Sequence, residues 1–174
     1  MSTPDPAPTV TFDNSSATGS ERQVLDAFLN YYRQIIARKV YGVGDDKARQ
    51  HLVGSLTTLA GLLKHLAVAE REWFQHILAQ LNPGEIGADF DGQSDAGWQV
   101  ADDETVADLI AEYERTCSRS RELAASYDLD HTVPHGYFGQ VSLRWIYVHM
   151  IEETARHAGH ADILREQTDG STDD

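Results

Sequence analysis

Apolar side chains recur at helical spacing in four separate segments of this 174-residue chain, and no other feature constrains its fold as strongly. The spacing predicts helices over about 20–42, 46–81, 104–127 and 142–167. Only residues 140–143 read as extended, and that run is too short to predict a sheet. Four long helices joined by loops are typical of an all-α fold, and we therefore expect a four-helix bundle.

The composition along the chain divides it into an arm, a bundle and a tail. Residues 1–19 carry Pro, Ser, Thr and Asp with little apolar content, which predicts a disordered N-terminal arm. We expect the bundle over residues 20–168, beginning at Ser20, because Ser20 and Gln23 have the spacing of a capping box. Residues 169–174 are expected to form an acidic tail.

Two long connections and one break interrupt the predicted helices. The Gly- and Asp-rich residues 82–104 predict an irregular loop of about 20 residues, which either walls a pocket or is a surface excursion. Residues 128–141 form the second connection. Gly54 and Ser55 are expected to break the second helix and to leave a short helical turn before it.

Charge and cysteine content exclude several function classes. The chain has 14 Lys and Arg against 28 Asp and Glu, a formal net charge of −14, and no basic cluster. Nucleic acids and anionic membrane surfaces require such clusters, so we expect neither as a partner. The single cysteine, Cys117, excludes an internal disulfide, and its place on an apolar helix face favours a core role over a nucleophile. Without a membrane-length apolar run or a signal-like N-terminus, we expect a cytoplasmic protein.

Eight histidines are many for this length, and those on the last predicted helix give the main functional signal. On a helical wheel, His149, Glu153, His157 and His160 fall within an arc of about 80°. The neighbouring positions on that arc are apolar or small, which predicts that the arc faces the bundle interior. Glu153 and His157 are four residues apart, the spacing at which two helix side chains converge on one ion.

A buried row of imidazoles and a carboxylate needs partners, and the residues leave two interpretations open. In one, a metal ion satisfies the row, with His65 of the second helix as the best further donor. In the other, the side chains hydrogen-bond one another without an ion. His76 is about three turns from His65 and cannot share its ion, and His51, His131 and His135 are expected at the surface or in connections.

Two histidines and a carboxylate leave coordination positions open, which is typical of catalytic metal sites. Zinc, iron(II), nickel(II) and manganese(II) all accept this set of ligands. The sequence carries no nucleophile-elbow motif around a serine and no phosphate-binding glycine loop. We interpret Glu70, Arg71 and Glu72 as solvated helix faces. Arg165 and Glu166 lie next to the histidine arc and are either surface residues, which we favour, or outer partners of the arc.

Two stretches resemble motifs of a known superfamily. Residues 55–74 (SLTTLAGLLKHLAVAEREWF) resemble the second helix of DinB/YfiT-like proteins, and residues 142–162 (SLRWIYVHMIEETARHAGHAD) resemble their last helix. The resemblance covers about residues 20–168 and is strongest to an actinobacterial DinB subgroup. It implies a bundle with an up-down-down-up arrangement of helices.

The resemblance also implies a metal site of three side chains. Many members use three histidines, of which the last two are spaced His-x-x-x-His, whereas this chain has Glu153 four residues before His157. A similar His, Glu, His set occurs in the mycothiol-dependent maleylpyruvate isomerase branch, and by that match His65, Glu153 and His157 are the ligands. His160 and His149 are then outer partners or a fourth ligand.

Relatives of assigned activity are mostly transferases and isomerases that use mycothiol or bacillithiol. The resemblance therefore implies a mycothiol-type thiol and an electrophile as small-molecule partners. It also implies one divalent ion, with zinc as the first choice and nickel, iron or manganese as alternatives. Trp98, Tyr137 and Trp145 are the candidates for pocket lining.

Two other functions from different classes stay open beside the S-transferase. One is a non-enzymatic metal- or ligand-binding bundle that senses or stores its ligand, and a fourth protein ligand would favour it. The other is a structural dimerisation bundle in which the histidine arc is a buried polar network. A homodimer is compatible with all three functions.

Overall fold

The computed structural model describes residues 8–86 and 95–172, and over this part of the chain the protein is an all-α bundle with one small sheet. The predicted fold class is therefore confirmed. None of the helices in the described part is both long and apolar enough to span a membrane. The α-helices, in chain order, are α1 (Glu21–Val40), α2 (Asp45–Ala48), α3 (Leu59–Glu70), α4 (Pro83–Ile86), α5 (Val106–Ala124) and α6 (Leu143–Asp169).

The four long helices enclose the hydrophobic core. Helix α1 packs mainly along α6, and α3 packs mainly along α5. Leu62 and Leu66 of α3 are buried with Tyr113 of α5 in one part of the core, and Phe74 is buried with Met150 of α6 in the other. The apolar stripes that the periodicity predicted thus face one another in the bundle.

Capping residues explain where the long helices begin and end. The Ser20 side chain accepts a hydrogen bond from the Gln23 backbone N–H, and the Gln23 side chain accepts one from the Ser20 N–H, as the predicted capping box requires. Thr105 and Asp108 form a second such box before α5. Helix α6 ends at Gly170, whose φ of 76° is the left-handed conformation typical of helix C-termini.

The second predicted helix is divided in the structure. Residues 49–58 separate α2 from α3, so the break predicted at Gly54 and Ser55 is confirmed. After α3, however, the chain continues as a π-helical segment, Arg71–Leu78, and not as the α-helix that was predicted. The wider turn of a π-helix changes which side chains share a face.

The prediction that the second connection contains no sheet was wrong. Strands β1 (Thr132–His135) and β2 (Gly139–Ser142) pair antiparallel. The three-residue loop between them is followed by Gly139, whose φ of 75° a glycine adopts without strain. Strands of four residues, one of which contains a proline, give too short an alternation to be distinguished from a loop.

Parts of the predicted arm and of the first connection have regular structure. Asn14–Thr18 form a 3-10 turn, and the Phe12 ring lies against Phe28 of α1, so this portion of the predicted disordered arm packs on the bundle. Asp95–Trp98 form a second 3-10 turn within the first connection. The rest of the arm, the middle of that connection and the end of the tail lie outside the described residues: 1–7, 87–94 and 173–174.

A buried ion pair joins α1 to the end of α3. The Arg33 guanidinium donates to both carboxylate oxygens of Glu70, at 2.7 Å each, and both side chains are almost fully buried. Burial lowers the pKa of Arg33, but the Glu70 carboxylate more than offsets this and raises that pKa above its ordinary value. The interpretation of Glu70 as a solvated residue was therefore wrong. Its carboxylate is buried in the bundle, where the two hydrogen bonds from the Arg33 guanidinium compensate its charge.

Removal of one charge from this pair is expected to destabilise the fold strongly. Glu70→Gln leaves Arg33 buried without a counter-ion, and we expect it to lower the free energy of unfolding by about 3–5 kcal/mol. The matched control is Glu112→Gln, because Glu112 pairs with Arg71 at a partly exposed position, and it should cost less than about 1 kcal/mol. Urea denaturation followed by circular dichroism measures both, and equal losses would contradict this role of the pair.

Candidate metal centre

Two helices bring three potential metal ligands together. His65 lies on α3, and Glu153 and His157 lie one turn apart on α6. One ligand atom of each residue lies within 4.8 Å of the ligand atoms of the other two. The same carboxylate oxygen, Glu153 Oε1, is 2.9 Å from His65 Nε2 and 3.1 Å from His157 Nε2. The structure thus assembles the three side chains that were predicted as ligands, His65, Glu153 and His157, hereafter the His-Glu-His cluster.

Local sequence explains why these side chains meet. Glu153 and His157 project from one face of α6 because residues four apart in an α-helix lie above one another. On α3, the fully buried Leu62 and Leu66 fix the rotation of the helix in the core. His65 lies at the edge of that buried stripe, and this position directs its imidazole toward α6.

The cluster contains an ionised carboxylate and is partly open to solvent. Hydrogen bonds from His157 and His65 hold the pKa of the Glu153 carboxyl well below its usual range, although burial opposes them. The carboxylate is therefore ionised at every physiological pH. The side chains of His65 and Glu153 are 23% and 14% exposed, so one side of the cluster is accessible to a small molecule.

The arrangement fits a divalent ion. With metal–ligand bonds of about 2.0–2.1 Å, neighbouring ligand atoms of a tetrahedral site lie about 3.3 Å apart. The distances of 2.9 Å and 3.1 Å from Glu153 Oε1 to the two histidine nitrogens are close to that separation. Imidazole and carboxylate are donors that zinc, iron, nickel and manganese accept. The same side chains also hydrogen-bond one another without an ion, so the metal content of the protein decides between the two interpretations.

The other two residues of the predicted arc lie outside the cluster. His160 is its neighbour, since His160 Nδ1 is 3.3 Å from His157 Nδ1. His149 packs between Trp73 and Trp145, with ring centroids 4.4 Å and 5.1 Å away. Burial lowers the pKa of His149. The structure therefore places His160 as an outer partner of His157 and His149 among aromatic side chains.

The three aromatic residues predicted to line the pocket take different positions. Trp98 stacks on His65, with ring centroids 4.1 Å apart and an angle of 11° between the planes, so it covers one side of the cluster. Trp145 contacts His149 instead of the cluster itself. Tyr137 lies in the loop of the β-hairpin and is 86% exposed. Of the three, Trp98 is the one that the structure brings to the cluster.

The remaining histidines lie away from the cluster, as their positions in the sequence predicted: His51, His76, His131 and His135. His135 nevertheless has a structural contact, because its ring stacks on Trp73 with centroids 5.3 Å apart. Through this contact and the packing of His149 on Trp73, the β-hairpin lies beside α6 at the N-terminal side of the cluster.

Glu72 is a half-buried carboxylate that the sequence reasoning missed. It lines a cavity with His76 and His135, and burial raises its pKa while the neighbouring histidines oppose that shift. The interpretation of Glu72 as a solvated residue was therefore wrong. Its position could not be predicted from α-helical spacing, because Glu72 lies in the π-helical segment Arg71–Leu78.

The fold and the cluster together define a class of protein. An all-α bundle with a His, Glu, His set on its second long helix and its last helix is the arrangement expected of a DinB/YfiT-like protein. The comparison with protein families agrees, because the family model described as mycothiol-S-transferase matches residues 24–170. The chain belongs to the mycothiol-S-transferase family. A search of the curated proteins finds no match.

Gly61 is the residue that allows Trp98 to reach His65. A Cβ atom at Gly61 would lie 2.9 Å from the Trp98 carbonyl oxygen and 3.0 Å from Thr58 Oγ1, both closer than side chains normally approach. The backbone of the 3-10 turn therefore lies directly on α3, and a side chain at position 61 would displace the turn that carries the indole.

Gly61→Ala is expected to displace this turn and to lower the free energy of unfolding by about 1–3 kcal/mol. The matched control is Gly159→Ala in α6, where a Cβ atom would meet nothing within 4 Å. That control should stabilise the protein by roughly 0.5–1 kcal/mol, because alanine is the better helix former. Urea denaturation measures both changes, and a stabilising Gly61→Ala would contradict the close approach of the turn.

Proposed function

We propose that the protein is a divalent-metal-dependent S-transferase that joins a mycothiol-type thiol to an electrophile. Membership of the mycothiol-S-transferase family supports the thiol and the class of reaction. The observation that supports metal dependence is the convergence of His65, Glu153 and His157 on one accessible point. Under this proposal these three residues are the metal ligands.

A divalent ion in the His-Glu-His cluster would lower the pKa of a thiol bound to it, so that the thiolate would be present near neutral pH. In the transfer, the thiol sulfur forms a bond to the electrophilic carbon. The leaving group departs with the electrons of its bond to that carbon, and the thiol proton is released to balance the charge.

The residues around the cluster would orient its imidazoles and exclude water. Trp98 holds the ring plane of His65 by stacking and shields that side of the cluster. The contact between His160 and the Nδ1 atom of His157 would set the tautomer of His157, so that its Nε2 atom stays directed at the cluster. The exposed side of Glu153 and His65 would then be the path by which the thiol approaches.

Three finer expectations belong to this proposal. Zinc is the ion that we expect first, because it favours four-coordinate sites of imidazole and carboxylate ligands. Nickel, iron and manganese are the alternatives. A homodimer and a location in the cytoplasm, both inferred from the sequence, complete the proposal.

An S-transfer assay with mycothiol and several electrophiles tests this function. We expect turnover by the wild type, loss of turnover after chelation, and recovery when one divalent ion is added back. His157→Ala and Glu153→Gln should each lower kcat/KM at least about a hundredfold. Mutation of a residue that only hydrogen-bonds a metal ligand already lowers activity by up to about a hundredfold, and loss of a ligand itself should cost at least as much. Product formation is followed by mass spectrometry.

The matched control is His51→Ala, which removes an exposed histidine outside the cluster and should leave turnover unchanged. Circular dichroism verifies that each variant is folded. Full turnover by chelated protein would contradict metal dependence. Absence of turnover with mycothiol and every electrophile, in protein loaded with each of the four ions, would contradict the class of reaction.

A further inference from the structure

A small cavity lies beside the His-Glu-His cluster, between residues 49–58 and the C-terminal half of α6. Its volume is about 270 Å³. The described residues that line it are Val53, Ser55, Thr57, His160, Ile163 and Leu164. None of the roles described so far uses this space.

One imidazole connects the cavity to the cluster. His160 lines the cavity, and its Nδ1 atom is 3.3 Å from Nδ1 of His157. On the other edge of the same His157 ring, the Nε2 atom is 3.1 Å from Glu153 Oε1. The His160 and His157 rings therefore lie between the cavity and Glu153, and a ligand whose body fills the cavity would reach the cluster only with a reactive group that extends past His160.

The lining selects an apolar occupant. Of the described lining residues none is Asp, Glu, Lys or Arg, and three carry branched aliphatic side chains. The Ser55 hydroxyl is engaged within the lining, because it donates to Thr57 Oγ1 at 2.9 Å and accepts from the Thr57 backbone N–H. Val53 and Ile163 are 39% and 55% exposed, so they present apolar surface that a ligand could cover.

The size of the cavity limits that occupant to a small group. Its volume of about 270 Å³ exceeds the roughly 150 Å³ of a cavity that binds one benzene molecule. It is just below the range of about 300–1,000 Å³ that is usual for pockets of drug-sized ligands. One substituted ring, or an aliphatic chain of similar volume, is the ligand that fits.

We propose that this cavity is the subsite for the electrophile, and that it takes uncharged electrophiles whose apolar body is a single ring or an aliphatic chain of similar volume. The inference rests on the proposed S-transferase function and deepens it by naming the class of the second substrate. The net charge of −14 agrees with it, since such a chain repels anionic electrophiles.

Kinetics with two electrophiles tests the subsite. In 4-nitrobenzyl chloride the sulfur–carbon bond replaces the carbon–chlorine bond and chloride leaves, whereas iodoacetamide is a smaller and more polar alkylating agent. Val53→Phe should fill the cavity and raise KM for 4-nitrobenzyl chloride about tenfold, with little change in kcat. With iodoacetamide the same variant should behave as the wild type does.

The matched control is Val148→Phe, because Val148 is an exposed valine of α6 that does not line the cavity. This variant should leave both substrates unaffected. An equal rise of KM for both electrophiles in Val53→Phe, or the same rise in the control, would overturn the proposed subsite.

Binding of an unreactive analogue separates the subsite from the reaction. 4-Nitrobenzyl alcohol, titrated into the protein without thiol and followed by NMR, should shift signals of Ile163 and Leu164, and Val53→Phe should weaken its binding about tenfold. Absence of binding, or equal binding by the two proteins, would overturn the inference. If the analogue binds but neither electrophile is turned over, the proposed S-transferase function is wrong, whereas the inference that the cavity binds an uncharged ring compound stands.

Discussion

The contact between His65 of α3 and Glu153 of α6 is the interaction on which the functional part of this structure depends. Glu153 and His157 lie close together because they are one turn apart on α6. His65 reaches them only if α3 packs against α6 at the correct rotation about its own axis. The core around Leu62 and Leu66 sets that rotation for α3. A site supported by packed helices in this way holds its geometry better than a site built on loops.

Two polar contacts outside the cluster keep the long helices in this arrangement. The buried Arg33–Glu70 pair ties α1 to the end of α3. At the C-terminal end of α1, Arg165 of α6 donates hydrogen bonds to the backbone carbonyls of Lys39 and Tyr41 and so ties the two helices together. Because the hydrophobic effect alone does not fix the register of packed helices, charged groups with specific partners give the bundle one arrangement.

The two sides of the cluster differ in chemistry, and this difference supports two substrates of different kinds. Trp98 covers His65, and the aromatic packing of His149 and Trp145 lies on the N-terminal side of α6. The aliphatic cavity behind His160 lies on its C-terminal side. Under the proposed function, a polar thiol and an apolar electrophile would then approach the same point from different directions.

The sequence correctly predicted the side-chain positions that follow from the periodicity of a single helix. The arc of Glu153 and His157 follows from spacing alone, and the place of His65 follows from the edge of an apolar stripe. Burial of Glu70 could not be predicted, because its partner Arg33 is 37 residues away and a helical wheel does not identify partners on other helices. The stacking of Trp98 likewise depends on a connection whose path the absence of a side chain at Gly61 permits.

The β-hairpin and the packing of His149 were missed for a related physical reason. Each four-residue strand is stabilised by its pairing partner and by contacts such as that of His135 with Trp73, and not by a local propensity of its own. His149 shares the wheel position of Glu153 and His157 but packs against Trp73, which lies in the π-helical segment where α-helical spacing no longer applies.

The metal content of the purified protein tests directly whether His65, Glu153 and His157 hold a divalent ion. The protein is purified without a nickel column or chelator and analysed by inductively coupled plasma mass spectrometry, beside His65→Ala, His157→Ala and the surface variant His131→Ala. We expect close to one divalent ion per chain in the wild type and in His131→Ala, and loss of the ion in His65→Ala and His157→Ala. A wild type that holds no ion after reconstitution with zinc, nickel, iron and manganese, or cluster variants that keep full loading, would contradict it.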